Sequence, residues 1–280
     1  MVRTFILPTE TFIMNQINRL DYNKKVSSQV LCADKRKNKF TYSFNVVEIS
    51  ELLNLFFQKI DKICYHFFRL LSPLSSYKIN KYIKLKNIEL IHIHYLVDAR
   101  YYLSVLKKIN VPKVVSCYGY DVSSFPKKYN GLATKYLQPV FKHIDFFLAM
   151  SDDMKDDLIK IGCPSNKIIV HYHGINVSRF LDIKRDYNFK TKAIILIVAS
   201  LVEKKGHEYL IDSIKDFEGQ VELRIAGDGP LKNYLVDHIK NNNIKTSIKF
   251  LGHINNESND MISEYSNADI FIHPSITSST

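Results

Sequence analysis

Along most of the chain, short apolar runs alternate with longer segments whose apolar residues repeat at helical spacing. Short β-branched or aromatic runs, such as 88–94 and 221–226, are typical of buried strands. Longer segments, such as 152–161 and 231–241, repeat their apolar residues every three or four positions and predict amphipathic helices. Because strands and helices alternate, the sequence predicts an α/β fold built from βαβ units with parallel sheets.

The predicted elements fall into two series. The first series has strands at 2–7, 88–94, 113–118, 146–151 and 167–173, and helices at 10–20, 99–109, 132–143 and 152–161. The second has strands at 193–202, 221–226, 248–251 and 269–273, and helices at 207–217, 231–241 and 257–266. A polar stretch of mixed charge, 178–192, separates them, whereas 22–49 gives no clear pattern. We therefore expect two domains, residues 1–177 and residues 178–280.

The longest apolar segment, 52–71, is about long enough to cross a bilayer. Lys59, Asp61, Lys62 and Arg69 interrupt it, and its apolar residues recur on one helical face. The segment is therefore predicted to be an amphipathic helix. Two interpretations stay open: the helix buries its apolar face against its own domain, or it lies on a lipid surface.

Charge divides the chain in the same way as the predicted elements do. The net charge is +11, but residues 1–177 hold 26 Lys and Arg against 14 Asp and Glu, and residues 178–280 hold 13 against 14. An excess of +12 in the first part suits a polyanion such as nucleic acid, anionic lipid or a diphosphate, although a solvated basic surface is the alternative. The four scattered cysteines match neither a zinc pattern nor a disulfide framework, and the first residues lack a signal-peptide core, which favours the cytoplasm.

Candidate chemistry lies just after the strands of the second domain, where α/β proteins bind their ligands. The first two of these loops contain Ser200, Lys204, Lys205, Gly227, Asp228 and Gly229. Lys205 comes just before a predicted helix, whose N-terminus would attract a diphosphate, although a solvated turn is the alternative. Gly227 and Gly229 allow a ligand to approach the backbone closely or serve only in a tight turn.

The order of several segments resembles one enzyme family. LVEKKGHEYLI, LRIAGDGPLKNYL, IKFLGHI and SEYSNADIFIHPS, in this order, resemble the donor-binding domain of family 4 retaining glycosyltransferases, which have the GT-B fold. In the first half, PTETFIMNQINRL, CYGYDVS and AMSDDMKDDLIKIGCPSNKIIVHYHGINVSRF are similar to the colanic-acid and amylovoran type of exopolysaccharide glycosyltransferases. The resemblance implies two Rossmann-like domains that face a cleft. It also implies transfer of a hexose from a UDP- or GDP-sugar with retention of configuration, without a cofactor or an obligatory metal.

The same resemblance implies roles for individual residues. Lys205 matches the family's diphosphate-binding lysine, and Tyr118 stands where the family commonly has a histidine beside the donor sugar, so both are predicted to be catalytic. The other predicted donor-binding residues are Ser200, Lys204, Gly227, Asp228, Gly229, His253 and Ser275. The residues predicted to line the first domain's side of the cleft are Thr9, Glu10, Thr11, His94 and Asp121. For His94, an ordinary strand-end histidine is the alternative.

Three departures from the family pattern bear on activity. Ser200 stands where many members have an arginine, and Tyr118 replaces the common histidine. The family's Glu-x7-Glu pair is expected after Ser275 but does not occur before Thr280, which predicts a C-terminally truncated, incomplete second domain.

The leading hypothesis is a cytoplasmic glycosyltransferase of surface-polysaccharide assembly, peripheral at the inner face of the plasma membrane. Its expected partners are a nucleotide-sugar donor, a lipid-linked saccharide acceptor and an anionic membrane surface. One alternative is a truncated, catalytically inactive remnant that binds nucleotide or a partner protein, and another is a nucleotide-sugar epimerase. Nucleic acid is not expected as a partner, because the lysines lack an interleaved aromatic platform and no helix-turn-helix or zinc finger is visible.

Overall fold

The chain folds into two compact units, Met1–His173 (unit 1) and Gly174–Thr280 (unit 2). The computed structural model describes residues 1–5, 11–22, 26–36, 42–53, 55–175, 177–181, 192–256 and 258–276. Within these ranges every pair of neighbouring strands is parallel, and helices connect most of them. The predicted α/β class with parallel sheets is confirmed.

Unit 1 contains seven strands in the residues that the structure describes. They are β1 (Val2–Phe5), β2 (Gln29–Lys35), β3 (Asn45–Glu48), β4 (Ile91–His94), β5 (Lys113–Ser116), β6 (Phe146–Ala149) and β7 (Ile168–Val170). Its helices are α1 (Thr11–Tyr22), α2 (Leu55–Phe68), α3 (Pro73–Leu85), α4 (Leu96–Tyr101), α5 (Leu103–Leu106), α6 (Leu132–Phe141) and α7 (Asp152–Lys160).

The sheet of unit 1 has a Rossmann-like strand order. β1, β2 and β3 pair in that order, and so do β4, β5, β6 and β7. Two backbone hydrogen bonds connect the sets: the Met1 amino group donates to the His92 carbonyl, and the His94 N–H donates to the Met1 carbonyl at 3.1 Å. The resulting order, β3-β2-β1-β4-β5-β6-β7, places β1 and β4 where the direction of strand addition reverses.

The core of unit 1 explains why the short apolar runs become strands. Ile93 on β4, Val115 on β5 and Phe147 on β6 are fully buried, as expected for a parallel sheet covered on both faces. Serine hydroxyl groups cap the N-termini of two of the surrounding helices. Ser72 Oγ accepts the Ser75 N–H at 3.2 Å at the start of α3, and Ser151 Oγ accepts the N–H of the third residue of α7 at 3.1 Å.

Unit 2 repeats this construction with four strands among its described residues. Its elements are α8 (Ser178–Leu181), β8 (Ala193–Val198), α9 (His207–Ser213), β9 (Val221–Ala226), α10 (Lys232–Asn241), β10 (Ser247–Gly252), α11 (Asn259–Asn267) and β11 (Ile270–Phe271). The strand order is β10-β9-β8-β11. Ile197 and Ile225 on the central strands, together with Leu235 on α10, are fully buried and form the centre of the core.

Three features of unit 1 differ from the sequence predictions. β2, β3 and α3 have no predicted counterpart. The predicted helix 99–109 is divided at Tyr102 into α4 and α5, and it begins earlier, at Leu96. Tyr102 has a backbone conformation of φ −85° and ψ 5°, which ends one helix and precedes the next. The last two residues of the predicted first strand lie outside the described residues.

Helix α2 does not bury the apolar face that its spacing displays. None of its residues is buried, and five large apolar side chains are 57–77% exposed: Leu55, Phe56, Ile63, Phe67 and Phe68. Of the two interpretations left open for this helix, the structure does not show burial of the whole apolar face against unit 1, although Phe57 and Tyr65 are partly buried against the core. Among the described residues, no helix has the length and apolar character needed to cross a membrane.

Candidate functional site

The loops at the carboxyl ends of the unit 2 strands are tied together by main-chain hydrogen bonds. The Leu201 N–H, after β8, donates to the Asp228 carbonyl, after β9, at 3.0 Å. The Gly227 N–H in turn donates to the Gly252 carbonyl at the end of β10 at 2.7 Å. Three consecutive loops therefore form one continuous edge.

Glycine is required in this edge because the backbones almost touch. A Cβ atom on Gly227 would lie 1.9 Å from the Ala199 carbonyl oxygen, and one on Gly229 would lie 2.6 Å from the Leu201 carbonyl oxygen. Both distances are shorter than any contact that a Cβ atom makes with an oxygen atom, so neither position can accept a side chain. Both glycines thus have a packing role between loops, whatever ligand the edge binds.

Lys205 lies where the loop after β8 meets the segment after β11. Its Nζ is 3.3 Å from His273 Nε2, and His273 Nδ1 is 3.3 Å from Ser275 Oγ. The Ile276 N–H donates to the Lys204 carbonyl at 3.0 Å, which holds the two segments together. Partial burial and then the neighbouring Lys204 ammonium lower the pKa of Lys205. The structure therefore brings Lys204, Lys205 and Ser275 into one neighbourhood.

The remaining predicted donor-binding residues lie on the same edge. Ser200, Asp228 and His253 are exposed at the ends of β8, β9 and β10. Asp228 Oδ1 accepts the Gly229 N–H at 2.8 Å, which stabilises the turn. The side chains of these three residues remain accessible to a ligand.

His207 is a residue of this region that the sequence predictions omit. It is the first residue of α9 and only 2% exposed, and within the described residues neither ring nitrogen has a hydrogen-bond partner. Burial lowers its pKa, and electrostatic interactions with Lys205 and then His273 lower it further. The available sequence signal was its position directly after Lys-Lys-Gly.

The strand ends of unit 1 hold a buried ring cluster. His94, at the end of β4, is 3% exposed, and its Nδ1 lies 2.6 Å from the Tyr118 hydroxyl. Its ring stacks on that of His92 with a centroid distance of 4.5 Å. Burial is the main cause that lowers the pKa of His94 well below its ordinary value, with His92 second, so the ring is neutral at pH 7.

Asp121 is a fully buried carboxylate that organises two loops. Its oxygens accept the N–H of Leu96 at 2.8 Å and the N–H of Tyr118 at 3.1 Å. Burial raises its pKa, and the backbone N–H groups partly oppose this effect. The carboxylate therefore fixes the position of Tyr118 from below and does not itself line an open surface.

Tyr118 forms the centre of an aromatic group. Its ring contacts those of Phe12, Tyr95 and His173 edge-on, at centroid distances of 4.8, 4.9 and 6.4 Å. Of the other residues predicted beside it, Thr9 and Glu10 lie outside the described residues. Thr11 is the first residue of α1, and its side chain is not described.

Two sequence-family models match the chain one after the other. The model described as Glycosyltransferase Family 4 matches residues 30–179, which is more than half of the chain. The chain belongs to glycosyltransferase family 4. The model described as Glycosyl transferases group 1 matches residues 180–279 of this family 4 chain.

Known relatives support the same family. The chain is 30% identical over 165 residues to the Escherichia coli K12 protein WcaL, named as a colanic acid biosynthesis glycosyltransferase; the match covers 57% of the chain and 39% of WcaL. It is 29% identical over 195 residues to the amylovoran biosynthesis glycosyltransferase AmsK of Erwinia amylovora, covering 68% of the chain and 46% of AmsK. The chain thus matches less than half the length of these curated relatives.

Solved structures support the fold. The Anabaena protein HepE, crystallised in complex with UDP, superimposes with a TM-score of 0.73 at 14% identity, over 99% of the chain and 73% of HepE. The expected GT-B type of α/β fold is thereby confirmed.

One group of side chains in the family 4 chain has the composition of a metal site. Glu208 and Asp212 on α9 and His238 on α10 place their ligand atoms within 4.8 Å of one another. His238 Nε2 is 2.7 Å from Asp212 Oδ1, and Tyr234 donates to Glu208 at 2.8 Å. These contacts tie the two helices together as they stand, and we assign the group no catalytic role.

Proposed function

We propose that this chain transfers a hexose from a nucleoside-diphosphate sugar to a lipid-linked or saccharide acceptor during surface-polysaccharide assembly, with retention of configuration. Membership of family 4 supports this proposal, and so do relatives named for colanic acid and amylovoran biosynthesis. The observation that carries it is the position of Lys205, beside His273 and Ser275 at the carboxyl-end edge of unit 2.

Lys205 would stabilise the leaving nucleoside diphosphate. Departure of the diphosphate builds negative charge on its oxygens while the sugar becomes oxocarbenium-like. A cation that is already in place stabilises this transition state without reorganisation. Ser200, at the family's arginine position, would contribute a hydroxyl group and no charge. We therefore assign the electrostatic stabilisation mainly to Lys205, with the exposed Lys204 as second cation.

The other predicted residues of the edge would bind the remaining parts of the donor. The main chain at His253 would meet the base, and Gly227 and Gly229 would let the donor lie close to the backbone beside the exposed Asp228. The complex of HepE with UDP supports testing UDP-sugars first. In unit 1, Tyr118 would contact the transferred sugar, with neutral His94 as the hydrogen-bond partner of its hydroxyl group.

Helix α2 supports a further part of the proposal, attachment to the surface of an anionic membrane. Phe56, Ile63 and Phe67 follow one another at helical spacing and are 57–71% exposed. Lys59 and Lys62 lie among them and are also exposed. Insertion of each phenylalanine would contribute about 1.5–3 kcal/mol, and each basic residue near an anionic leaflet about 1 kcal/mol. The basic excess of residues 1–177 has the sign that this surface requires.

A donor panel tests the transfer reaction. The purified chain is incubated with UDP- and GDP-sugars and a membrane extract as acceptor, and release of nucleoside diphosphate is measured. We expect release from one donor. Release should be lost in Lys205→Ala and unchanged in Lys240→Ala, which removes an exposed lysine near the C-terminal end of α10. Nucleotide binding without release from any donor would contradict the proposal and favour a protein that only binds nucleotide.

Sedimentation with vesicles tests the membrane surface. The chain should sediment with phosphatidylglycerol vesicles and less with phosphatidylcholine vesicles, and salt should weaken the binding. Replacing Phe56 and Phe67 together by Ser should lower binding at least tenfold. Leu85→Ser, which removes a 70% exposed leucine at the end of α3, is the matched control. Equal binding by the double variant and the control would contradict attachment through α2.

A further inference from the structure

Two helices of unit 2 present three potential metal ligands to one another. Glu208 and Asp212 lie on α9 and His238 lies on α10, and one ligand atom from each residue is within 4.8 Å of the other two. In a tetrahedral zinc site, with bonds of about 2.0–2.1 Å, the ligand atoms are roughly 3.3–3.5 Å apart. Small rotations of the side chains would therefore bring all three atoms within reach of one ion.

The two helices hold these side chains on rigid supports. Glu208 and Asp212 are four residues apart, so they share one face of α9. Both helices are anchored in the core of unit 2, where Ile211 on α9 and Leu235 on α10 are fully buried. The three ligands therefore project from elements whose positions are already set, as a metal site requires.

The charge of this group is unbalanced. Carboxylates at this helical spacing repel each other. Within the part of the chain that the structure describes, His238 is the sole basic residue within 4 Å of either carboxylate. An imidazole brings at most one positive charge against the two negative charges of Glu208 and Asp212. The group therefore favours a divalent cation, which would neutralise both carboxylates.

Neighbouring side chains orient the ligands. His238 Nε2 lies 2.7 Å from Asp212 Oδ1, and Asn242 Nδ2 lies 3.2 Å from His238 Nδ1. Because an amide nitrogen can only donate, Nδ1 accepts, and the neutral ring carries its proton on Nε2. The Tyr234 hydroxyl donates to Glu208 Oε1 at 2.8 Å. Outer contacts of this kind fix the tautomer and the orientation of the ligands in metal sites.

We propose that Glu208, Asp212 and His238 bind one Zn²⁺ ion, which joins α9 to α10. The ion binds His238 Nε2 in place of its proton, which is released to water, and one oxygen of each carboxylate, with a water molecule as fourth ligand. One imidazole nitrogen and two carboxylates suit Zn²⁺, whereas Mg²⁺ and Ca²⁺ need about six or more oxygen ligands. The site is structural, and it does not depend on the proposed transfer reaction.

Zinc binding to the full chain tests this site without any donor or acceptor. The chain is treated with EDTA, dialysed into metal-free buffer and titrated with Zn²⁺ by calorimetry, and its melting temperature is measured with and without the ion. We expect one Zn²⁺ per chain. The melting temperature should rise by at least about 3 °C, because a ligand that binds the folded state stabilises it. Mg²⁺ at the same concentration should cause no such rise.

Substitutions identify the ligands. Asp212→Asn and His238→Gln should each weaken Zn²⁺ binding at least about tenfold, since each removes one of three ligands. Both variants should keep the circular dichroism of the wild type, because neither side chain is part of the apolar core. Asp237→Asn, which neutralises an exposed carboxylate next to His238, is the matched control. His66→Gln tests a competing site, an exposed histidine two residues from Cys64 on α2.

The outcomes do not involve turnover, so they separate this inference from the proposed function. Weaker binding in Asp212→Asn and His238→Gln, with Asp237→Asn and His66→Gln unchanged, supports the site even if no donor is turned over. Absence of Zn²⁺ binding to the wild type, or equal affinity of all four variants, overturns it. A loss confined to His66→Gln also overturns it, because the ion would then lie on α2. Binding of Mg²⁺ as tightly as Zn²⁺ would overturn the assignment to a transition metal.

Discussion

The two units arrange the carboxyl ends of their parallel strands in opposite ways. In unit 1, His94 and Asp121 are buried and His92 is largely buried, and the ring of Tyr118 stacks on that of His94. In unit 2, the backbones of three loops interlock at Gly227, and the polar side chains project outward. The first arrangement depends on buried polar side chains, and the second depends on the main chain. Mutations in the two units should therefore affect activity and stability in different ways.

The largest effect is expected for the half-buried lysine of unit 2. Lys205→Ala should lower kcat by about 10²–10³-fold, the usual effect of removing one preorganised charge from a transition state. Folding should be unchanged, because the Lys205 ammonium contacts only one ring nitrogen, that of His273, within the described residues. Steady-state nucleotide release measures the effect, with Lys240→Ala as control. A Lys205→Ala enzyme that keeps more than a third of its activity would remove this residue from the mechanism.

The interlocked loops should tolerate no side chain at Gly227. In Gly227→Ala the new Cβ would lie 1.9 Å from a carbonyl oxygen, so the loops must separate and unit 2 should lose about 3 kcal/mol or more. Gly219→Ala is the matched control: its φ of +76° is also positive, but nothing lies within 4 Å of the new atom. It should cost only about 1 kcal/mol. Urea unfolding measures both, and similar losses would show that the loops are less closely packed than described.

Acidification should destabilise unit 1 through its buried histidines. Burial lowers the pKa of His92 to about 4, with the N-terminal amino group and His171 adding smaller effects. In the unfolded chain the pKa is about 6.5, so the unfolded state binds more protons between these values. The stabilisation is complete above pH 6.5 and is lost as the pH falls towards 4. From pH 7 to pH 5 this amounts to about 2 kcal/mol.

His94 changes in the same direction and adds to the loss. The test compares urea unfolding of the full chain at pH 7 and pH 5. His92→Gln should lose about 2 kcal/mol less on acidification than the wild type does. His66→Gln, which changes an exposed histidine of α2, should behave like the wild type. An unaltered pH dependence in His92→Gln would show that the ring is not held neutral.

The smallest effect is expected at the surface link between α9 and α10. His238→Gln removes the contact of the ring with Asp212, whose side chain is 50% exposed. Solvent screens this pair, so the loss should be about 0.5–1 kcal/mol by urea unfolding. A loss of more than about 2 kcal/mol in the free energy of unfolding would contradict this and show that the contact is not screened by solvent.

Much of the fold could be predicted because its signal is local. The strand 221–226 coincides with β9, and 231–241 coincides within one residue with α10, because each has a clear period and a clear end. β3, in contrast, has four residues and follows a stretch without a period, so its place is set by pairing with β2. Pairing between distant segments cannot be predicted from the local sequence of either segment.

The candidate site could be predicted only in part, for the same reason. The sequence singles out Lys205 by its place between a predicted strand and a predicted helix and by the family resemblance, and the structure places it beside His273, whose other ring nitrogen contacts Ser275. The burial of Asp121 under two loops and the φ of +74° at Tyr95 depend on tertiary packing. The same holds for the buried ring of His207, whose nitrogens have no hydrogen-bond partner within the part of the chain that the structure describes. It also holds for the exposed face of α2, since its spacing is equally compatible with a buried helix.

The interlocked glycines of unit 2 have a consequence for engineering. Because the contour of this edge is set by main-chain atoms, the exposed side chains at Ser200 and His253 can be exchanged without rebuilding the scaffold beneath them. A library that randomises these two positions and keeps Gly227, Asp228 and Gly229 fixed should yield mostly folded proteins. Altered sugar preference could then be selected from it directly.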